Sequence, residues 1–283
     1  MRKALFDRNI RFFLICCITT GATMSAFSQA PSCHPAESFA MLSNDKAFRE
    51  GHAEPEDFTY TGPGEWVTFP AADGNPAKGF LLKSEKPSQN YLLVFHEWWG
   101  LNDQIRAECA TLAKDLQNVN ILAVDLYDGK VTNQRSEAAR LMQSVNRQRA
   151  EAIVKGVIQY VGPEAKIATI GWCFGGGWSL QASLLAGTRA AACVLYYGMP
   201  VTDTVKLKTL HADVLGIFAS QDEWITQDIV KQFDAAMKAA GKRLDIVTFD
   251  AQHAFANPSN PQYDKEKTEK AYEYTLKFLK EHL

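Results

Sequence analysis

The stretch from Lys166 to Gly177 constrains the fold more than any other part of the sequence. It reads Lys-Ile-Ala-Thr-Ile-Gly-Trp-Cys-Phe-Gly-Gly-Gly, an apolar and β-branched run that ends abruptly in a glycine-rich turn. A helical pattern follows through Leu180, Leu184 and Leu185. A strand, a tight turn and a helix in direct succession predict one unit of a parallel α/β sheet.

The spacing Gly171-x-Cys173-x-Gly175 is that of a nucleophile elbow, with cysteine where serine usually stands. Such a turn lifts its middle side chain above the sheet edge, and the flanking glycines let strand and helix approach each other. The helix directs its N-terminal amides at Cys173, which favours the thiolate, the nucleophilic form. The alternative interpretation is a small buried cysteine beside a structural turn.

Two polar residues follow later apolar runs in the way that Cys173 follows its own. Asp222 lies in the turn after residues 215–219, and His253 lies shortly after residues 246–249. Ligand sites of parallel sheets lie at the carboxyl ends of the strands, so these side chains are expected to meet. Histidine can take the proton of cysteine, and a carboxylate fixes the histidine tautomer. The order nucleophile, acid, histidine predicts a catalytic triad, although singly Asp222 could serve its turn and His253 its loop.

The remaining apolar runs alternate with helical patterns and predict an α/β fold. About seven to eight strands form a mostly parallel sheet with helices on both faces. The turn Asp73-Gly74-Asn75 joins the first two strands as an antiparallel N-terminal edge. The predicted strands are 65–70, 77–83, 91–95, 120–125, 166–172, 190–197, 212–219 and 244–249. Predicted helices, besides the one after the elbow, are 103–116, 133–145, 149–161, 226–240 and 260–283.

Residues 1–30 have the pattern of a secretory signal peptide. Four basic residues surround the start of the apolar run 12–18, and Ser28-Gln29-Ala30 supplies small residues for cleavage. An uncleaved anchor is the alternative, but this run is short for a span of about 20 residues. The sequence therefore predicts an exported protein, periplasmic or secreted, with no membrane span after cleavage. Residues 31–63 are interpreted as a polar N-terminal extension that lies over the domain, with a short helix near Ala36–Leu42, and disorder is the alternative. Residues 64–283 are interpreted as the α/β domain.

Composition and charge exclude several classes of function. The chain of 283 residues is 46% hydrophobic and 22% charged, as globular proteins are. Residues 1–30 hold four of the 30 basic and one of the 32 acidic residues, so the mature chain has a formal net charge of −5. No basic cluster indicates nucleic-acid binding. No Cys-x-x-Cys pair or local Cys/His cluster is present, so neither a metal nor a cofactor is expected.

The other cysteines and histidines are interpreted as structural. Cys109 and Cys193 lie in apolar patterns typical of a core, and the pairing of Cys33 stays open. His96 stands at a strand end and is expected to support the loop that follows. The remaining histidines are expected to be solvated: His34, His52, His211 and His282.

Six short segments together resemble the dienelactone hydrolase family of α/β-hydrolases. They are His-Glu-Trp-Trp-Gly-Leu-Asn at 96–102, Asp-Leu-Tyr at 125–127, Gly-Trp-Cys-Phe-Gly-Gly at 171–176, Tyr-Tyr-Gly at 196–198, Gln-Asp at 221–222 and His-Ala-Phe-Ala at 253–256. They extend over about residues 65–283. The resemblance implies the α/β-hydrolase fold and the triad Cys173, Asp222 and His253. It also implies an oxyanion hole from the backbone N–H groups of Trp98 and Phe174.

The resemblance implies a role for Glu97 and reveals a departure from the family. The family's glutamate contacts the cysteine before substrate arrives and tunes its protonation; a surface ion pair is the alternative for Glu97. Members that act on dienelactone hold its carboxylate with two arginines. One falls near Arg135, and this chain has Asn257 where the other is expected, which removes a bidentate anion clamp. Arg135 and Tyr197 remain the candidates for substrate contact, and dienelactone itself is not the expected substrate.

The sequence thus predicts a hydrolase of small esters or lactones that works through a cysteine acyl-enzyme, without metal or organic cofactor. Its partner is a small-molecule substrate. An exported binding protein that uses the same pocket without turnover is the alternative from another class. A thiol redox protein is disfavoured, because no resolving cysteine lies nearby in the sequence.

Overall fold

A twisted sheet of eight strands lies at the centre of the part of the chain that the computed structural model describes, residues 35–283. The strands are β1 (Glu65–Pro70), β2 (Pro76–Leu82), β3 (Asn90–Phe95), β4 (Asn120–Val124), β5 (Lys166–Trp172), β6 (Ala190–Tyr196), β7 (Asp213–Ala219) and β8 (Leu244–Phe249). The α-helices in these residues are α1 (Pro35–Met41), α2 (Lys46–Glu50), α3 (Asp103–Leu116), α4 (Arg135–Gln143), α5 (Arg147–Tyr160), α6 (Phe174–Ala186), α7 (Thr204–Leu207), α8 (Gln227–Ala239) and α9 (Lys265–His282).

The strand order is β1-β2-β4-β3-β5-β6-β7-β8. The pairs β1–β2 and β2–β4 are antiparallel, and all the others are parallel. Parallel strands need crossover connections, which the helices provide. The predicted α/β-hydrolase fold, with its antiparallel N-terminal edge, is confirmed, and the elbow strand β5 lies in the middle of the sheet.

The sheet is most deeply buried in its centre, where strand sequences are continuous apolar runs. Every residue of β4 is buried, as are the last six residues of β5. The edge strand β8 alternates between half-buried and exposed positions over its second half, because only one of its faces is covered. Burial on both faces fixes the central strands and the site above them.

The start of the last helix was predicted wrongly. Asn260-Pro261 has the composition of a helix N-terminus, but the Asn260 side chain instead accepts from the Gln262 N–H within a turn. The helix α9 begins only at Lys265, with Asp264 as its cap accepting from the Lys267 N–H. Asn260 and Asp264 are both residue types that cap helices, and they lie four positions apart. In the folded chain only Asp264 caps α9.

The N-terminal segment packs against the rest of the fold from residue 35 onward. Phe39 and Phe48 are almost fully buried, and the described residues 35–283 belong to one compact unit. The predicted signal peptide and Cys33 lie outside the described residues. Within residues 35–283, no helix is both long and apolar enough to cross a membrane.

Candidate active site

The elbow holds Cys173 in a strained backbone conformation between β5 and α6. Its φ of 56° and ψ of −119° lie where L-residues rarely occur. A Cβ on Gly171 would lie less than 3 Å from the Gly175 carbonyl oxygen, and a Cβ on Gly175 less than 3 Å from that of Phe95. Glycine at both positions therefore lets β5, α6 and β3 pack closely enough to maintain the turn.

The three predicted triad residues lie together above the sheet. His253 Nδ1 is 2.6 Å from Asp222 Oδ2, and a ring nitrogen of His253 lies within 4.8 Å of the Cys173 sulfur. The other carboxylate oxygen of Asp222 accepts from the backbone N–H groups of Trp224 and Ile225, each at 2.9 Å. Burial opposes ionisation of Asp222, but His253 and these N–H donors outweigh it and keep the pKa of Asp222 below its usual value.

The thiol of Cys173 is not ionised by its surroundings in the resting site, in contrast to the expectation from the helix N-terminus. Burial raises the pKa of Cys173 well above its usual value, and the negative charge of Glu97 raises it further. The backbone N–H of Phe174 lowers the pKa but does not compensate. The helix dipole is a weaker influence than complete burial of the sulfur. Cys173 therefore needs a base to remove its proton before its sulfur can act as a nucleophile.

Glu97 lies buried at the site and is held by the residue that replaces the expected arginine. Asn257 Nδ2 donates to Glu97 Oε2 at 2.6 Å. Burial raises the pKa of Glu97 to about 7, although the Asn257 hydrogen bond acts in the opposite direction. A neutral amide satisfies this carboxyl without supplying a positive charge, so Glu97 can gain or lose a proton near neutral pH.

His96 supports the loop after β3, as the sequence suggested. Its Nδ1 is 2.6 Å from the Glu97 carbonyl oxygen, so this nitrogen carries the proton and donates. Its Nε2 accepts from the Leu126 N–H at 3.2 Å. The ring thereby ties the loop that contains Trp98 to the end of β4. The Trp98 side chain is fully buried, and the Phe174 N–H is the first of the unpaired donors of α6.

The two candidates for substrate contact occupy different places. Tyr197 is fully buried, with its ring centroid 5.0 Å from that of His253, and its hydroxyl has no hydrogen-bond partner among the described residues. Arg135 lies at the start of α4 and faces Glu54, with 3.8 Å between Nε and Oε1. The structure thus brings Tyr197 to the triad and leaves Arg135 in a partly exposed ion pair.

The N-terminal segment covers the triad. We define residues 35–52, which comprise α1, α2 and the turns between and after them, as the cap. Phe48 of the cap packs against His253, with ring centroids 5.9 Å apart, and against Trp98 at 5.5 Å. His52 was expected to be solvated but is only 2% exposed, with its ring centroid 5.5 Å from that of His253. The residues of α1 and α2 are too few to show a clear apolar periodicity.

An aromatic cavity of about 460 Å³ reaches the site through Glu97 and the residue next to Cys173, although none of the three triad residues is in its lining. Glu97 and Asn257 line it, together with Trp99 and Trp172. Its charged lining among the described residues consists of Glu97 and Glu108, and burial raises the pKa of Glu108 to about 7 as well. A cavity with two carboxyl groups, apolar walls and no lysine or arginine in its described lining suits a neutral organic group.

Removal of the Phe48 ring is expected to expose Cys173. The Phe48→Ala substitution deletes the cap's largest buried contact with the site, so open forms of the cap become more populated. Iodoacetamide should then alkylate Cys173 faster by about tenfold or more, as followed by mass spectrometry of the Cys173 peptide. The matched control is Tyr274→Ala, because the Tyr274 ring is 42% exposed and does not line the cavity beside Glu97 and Asn257. Equal alkylation rates in the two variants would show that the cap does not limit access.

The fold and the assembled side chains define the class of protein. A parallel sheet with a strained nucleophile turn after its central strand, a carboxylate after β7 and a histidine after β8 is the arrangement of an α/β-hydrolase. A family model described as the dienelactone hydrolase family matches residues 77–283. The chain therefore belongs to the dienelactone hydrolase family.

Comparisons with individual proteins agree with this assignment. The chain is 28% identical over 236 residues to protein Usf of Aquifex pyrophilus, covering 78% of this chain and 99% of that protein. It is 24% identical over 203 residues to carboxymethylenebutenolidase of Pseudomonas sp. strain P51, covering 67% of this chain and 83% of that enzyme. The structure of the dienelactone hydrolase-like promiscuous phosphotriesterase P91 from metagenomic libraries has a TM-score of 0.66 at 20% identity, covering 78% and 99% of the two chains.

Proposed function

We propose that this protein hydrolyses small, neutral carboxylic esters or lactones through a thiol acyl-enzyme on Cys173. The observation that carries the proposal is the placement of His253 between Asp222 and the Cys173 sulfur. The Nδ1–H of His253 donates to the carboxylate, so its Nε2 has a lone pair, and this nitrogen has no partner among the described residues. It is therefore free to take the thiol proton.

The reaction then follows from the geometry. His253 Nε2 removes the proton of Cys173 as the sulfur attacks the carbonyl carbon, and Asp222 stabilises the imidazolium. The oxygen of the tetrahedral intermediate is held by the N–H groups of Trp98 and Phe174, an interaction worth about 3 kcal/mol per donor in related chemistry. His253 returns the proton to the leaving oxygen, and the alcohol departs. A water molecule activated by His253 then releases the carboxylic acid and restores the thiol.

The preference for neutral substrates rests on the charges around the cavity. Asn257 stands where an anion-binding arginine was expected, and its side-chain N–H donates to Glu97. An anionic substrate would meet carboxyl groups without a compensating cation in the described lining. The pattern of residues 1–30 adds the proposal that the enzyme acts after export, in the periplasm or outside the cell.

A covalent intermediate tests the proposal directly. Mixing the protein with 4-nitrophenyl acetate and quenching in acid should yield a Cys173 peptide that carries one acetyl group. Cys109 and Cys193 are internal controls, because both are as buried as Cys173 but neither belongs to the group that His52, Cys173 and His253 form. Turnover without an acetylated Cys173 peptide, or acetylation that also modifies the two controls, would contradict the proposed nucleophile. Tight binding of esters without any turnover would favour the alternative of a binding protein.

A further inference from the structure

Three lone-pair donors that lie far apart in the sequence face one another beneath the cap. One ring nitrogen of His52, one of His253 and the sulfur of Cys173 all lie within 4.8 Å of one another. The three residues are buried, with exposures of 2%, 3% and 0%. Local spacing in the sequence does not reveal this group, because its members come from the cap, the elbow and the loop after β8.

Hydrogen bonds fix which nitrogen each histidine presents. His52 Nδ1 lies 2.6 Å from the Phe48 carbonyl oxygen and His253 Nδ1 lies 2.6 Å from the Asp222 carboxylate. Both partners are acceptors, so both Nδ1 atoms carry the hydrogen and both Nε2 atoms carry a lone pair. Neither Nε2 has a hydrogen-bond partner within the part of the chain that the structure describes.

Two buried lone pairs beside each other cannot satisfy one another, and a single thiol has only one proton to give. Two imidazole nitrogens and one thiolate are ligands that Zn²⁺ prefers, and three protein ligands with an open fourth position form a common zinc arrangement. The Phe48 carbonyl and the Asp222 carboxylate already orient the two rings from behind, as second-shell partners of metal-bound histidines do.

We propose that His52, Cys173 and His253 form a binding site for Zn²⁺, with water or a small ligand in the fourth position. Binding forms a Zn–S bond, breaks the S–H bond and releases that proton to solvent. Ligand atoms around a tetrahedral zinc ion lie about 3.3–3.6 Å apart, so the three atoms move together by about 1 Å or less.

The zinc site masks the nucleophile. This consequence rests on the proposed function, in which Cys173 is the nucleophile. The Cys173 sulfur cannot attack a carbonyl while it is bound to Zn²⁺, and His253 Nε2 cannot take a proton while it is bound to the same ion. Binding of zinc and binding of an ester therefore exclude each other. The cap blocks Cys173 in two ways, because it covers the thiol and because its residue His52 is a ligand of the same zinc ion.

The test is metal binding by the whole protein, measured without substrate. Competition with a chromophoric chelator gives the affinity for Zn²⁺, and Co²⁺ gives the thiolate-to-cobalt charge-transfer band that proves sulfur coordination. Wild type is expected to bind one ion with this band, and His52→Ala and Cys173→Ser are each expected to weaken Zn²⁺ binding by about tenfold or more. The matched control is His211→Ala, which removes an exposed histidine and should leave the affinity unchanged.

The outcomes separate this proposal from the proposed function. If His52→Ala does not fold, His52→Gln retains a polar side chain of similar length without an imidazole, and circular dichroism checks its fold. Wild-type affinity in the folded His52 variant, or absence of the charge-transfer band in wild type, would overturn the zinc site whatever the hydrolase assay shows. Zinc binding through all three residues, in a protein that hydrolyses no ester even after a chelator has removed every metal ion, would retain the site and reject the hydrolase.

Discussion

Replacing Cys173 with alanine is expected to lower kcat for ester hydrolysis by about 10⁴-fold or more, because the substitution removes the atom that forms the acyl-enzyme. The Cys173 side chain is fully buried, and alanine lacks only its sulfur atom, so the fold should be retained. Circular dichroism can verify this. The measurement is the release of 4-nitrophenol or of lactone acid under saturating substrate. A variant that retains wild-type kcat would refute the assignment of the nucleophile.

The same assay needs a cysteine control and a charge control. Cys109→Ala removes a buried thiol from α3, outside the residues that surround the triad, and should retain kcat. Each neutral ester is paired with the ester of matched size that carries a carboxylate. Wild type should favour the neutral member in kcat/KM by about tenfold or more, because Glu97 and Glu108 line the cavity. Preference for the anionic member would contradict the proposed substrate class.

Gly171→Ala is expected to destabilise the protein by about 3 kcal/mol or more in urea unfolding. The added Cβ meets the carbonyl oxygen and carbon of Gly175, which are backbone atoms at the first turn of α6 and cannot rotate away. The strain therefore acts on the contact between β5 and α6 that positions Cys173. We expect activity to fall with stability, because relief of the clash moves the nucleophile.

The control for this substitution is Gly129→Ala. Gly129 has φ of +88° but open space around its Cβ position, so only the backbone conformation is penalised, at about 1–2 kcal/mol. A free energy of unfolding for Gly171→Ala equal to that of Gly129→Ala would show that the close approach at the elbow is less rigid than the structure indicates.

The strands and the proximity of Cys173, Asp222 and His253 could be predicted because their signals are local. Continuous apolar runs such as 91–95 and 190–196 need no knowledge of their partners, and turn residues mark where they end. The carboxyl ends of parallel strands then bring Cys173, Asp222 and His253 to one edge of the sheet by topology alone. The geometry of the turns was predictable to the same extent, since Gly171-x-Cys173-x-Gly175 leaves few conformations open.

The burial of His52 against His253 and the protonation of the site could not be predicted, because both depend on contacts between distant segments. Nothing in the sequence around His52 distinguishes a buried ring from a solvated one. Burial of that ring lowers the pKa of His52 to about 3, and the charge of the neighbouring His253 contributes in the same direction to a smaller extent. Likewise, the helix N-terminus at Cys173 is visible in the sequence, whereas the complete burial that opposes ionisation is visible only in the packed structure.

The cap joins the beginning of the chain to segments that are synthesised much later. Trp224 Nε1 donates to Asp45, and Asn260 Nδ2 donates to the Gly51 carbonyl oxygen at 3.2 Å, across more than half of the chain. During translation, Phe39 and Phe48 therefore leave the ribosome long before the loops that cover them exist. The nascent chain therefore exposes these apolar side chains for most of its synthesis. The loop after β8, which contains His253, is the last loop to be synthesised.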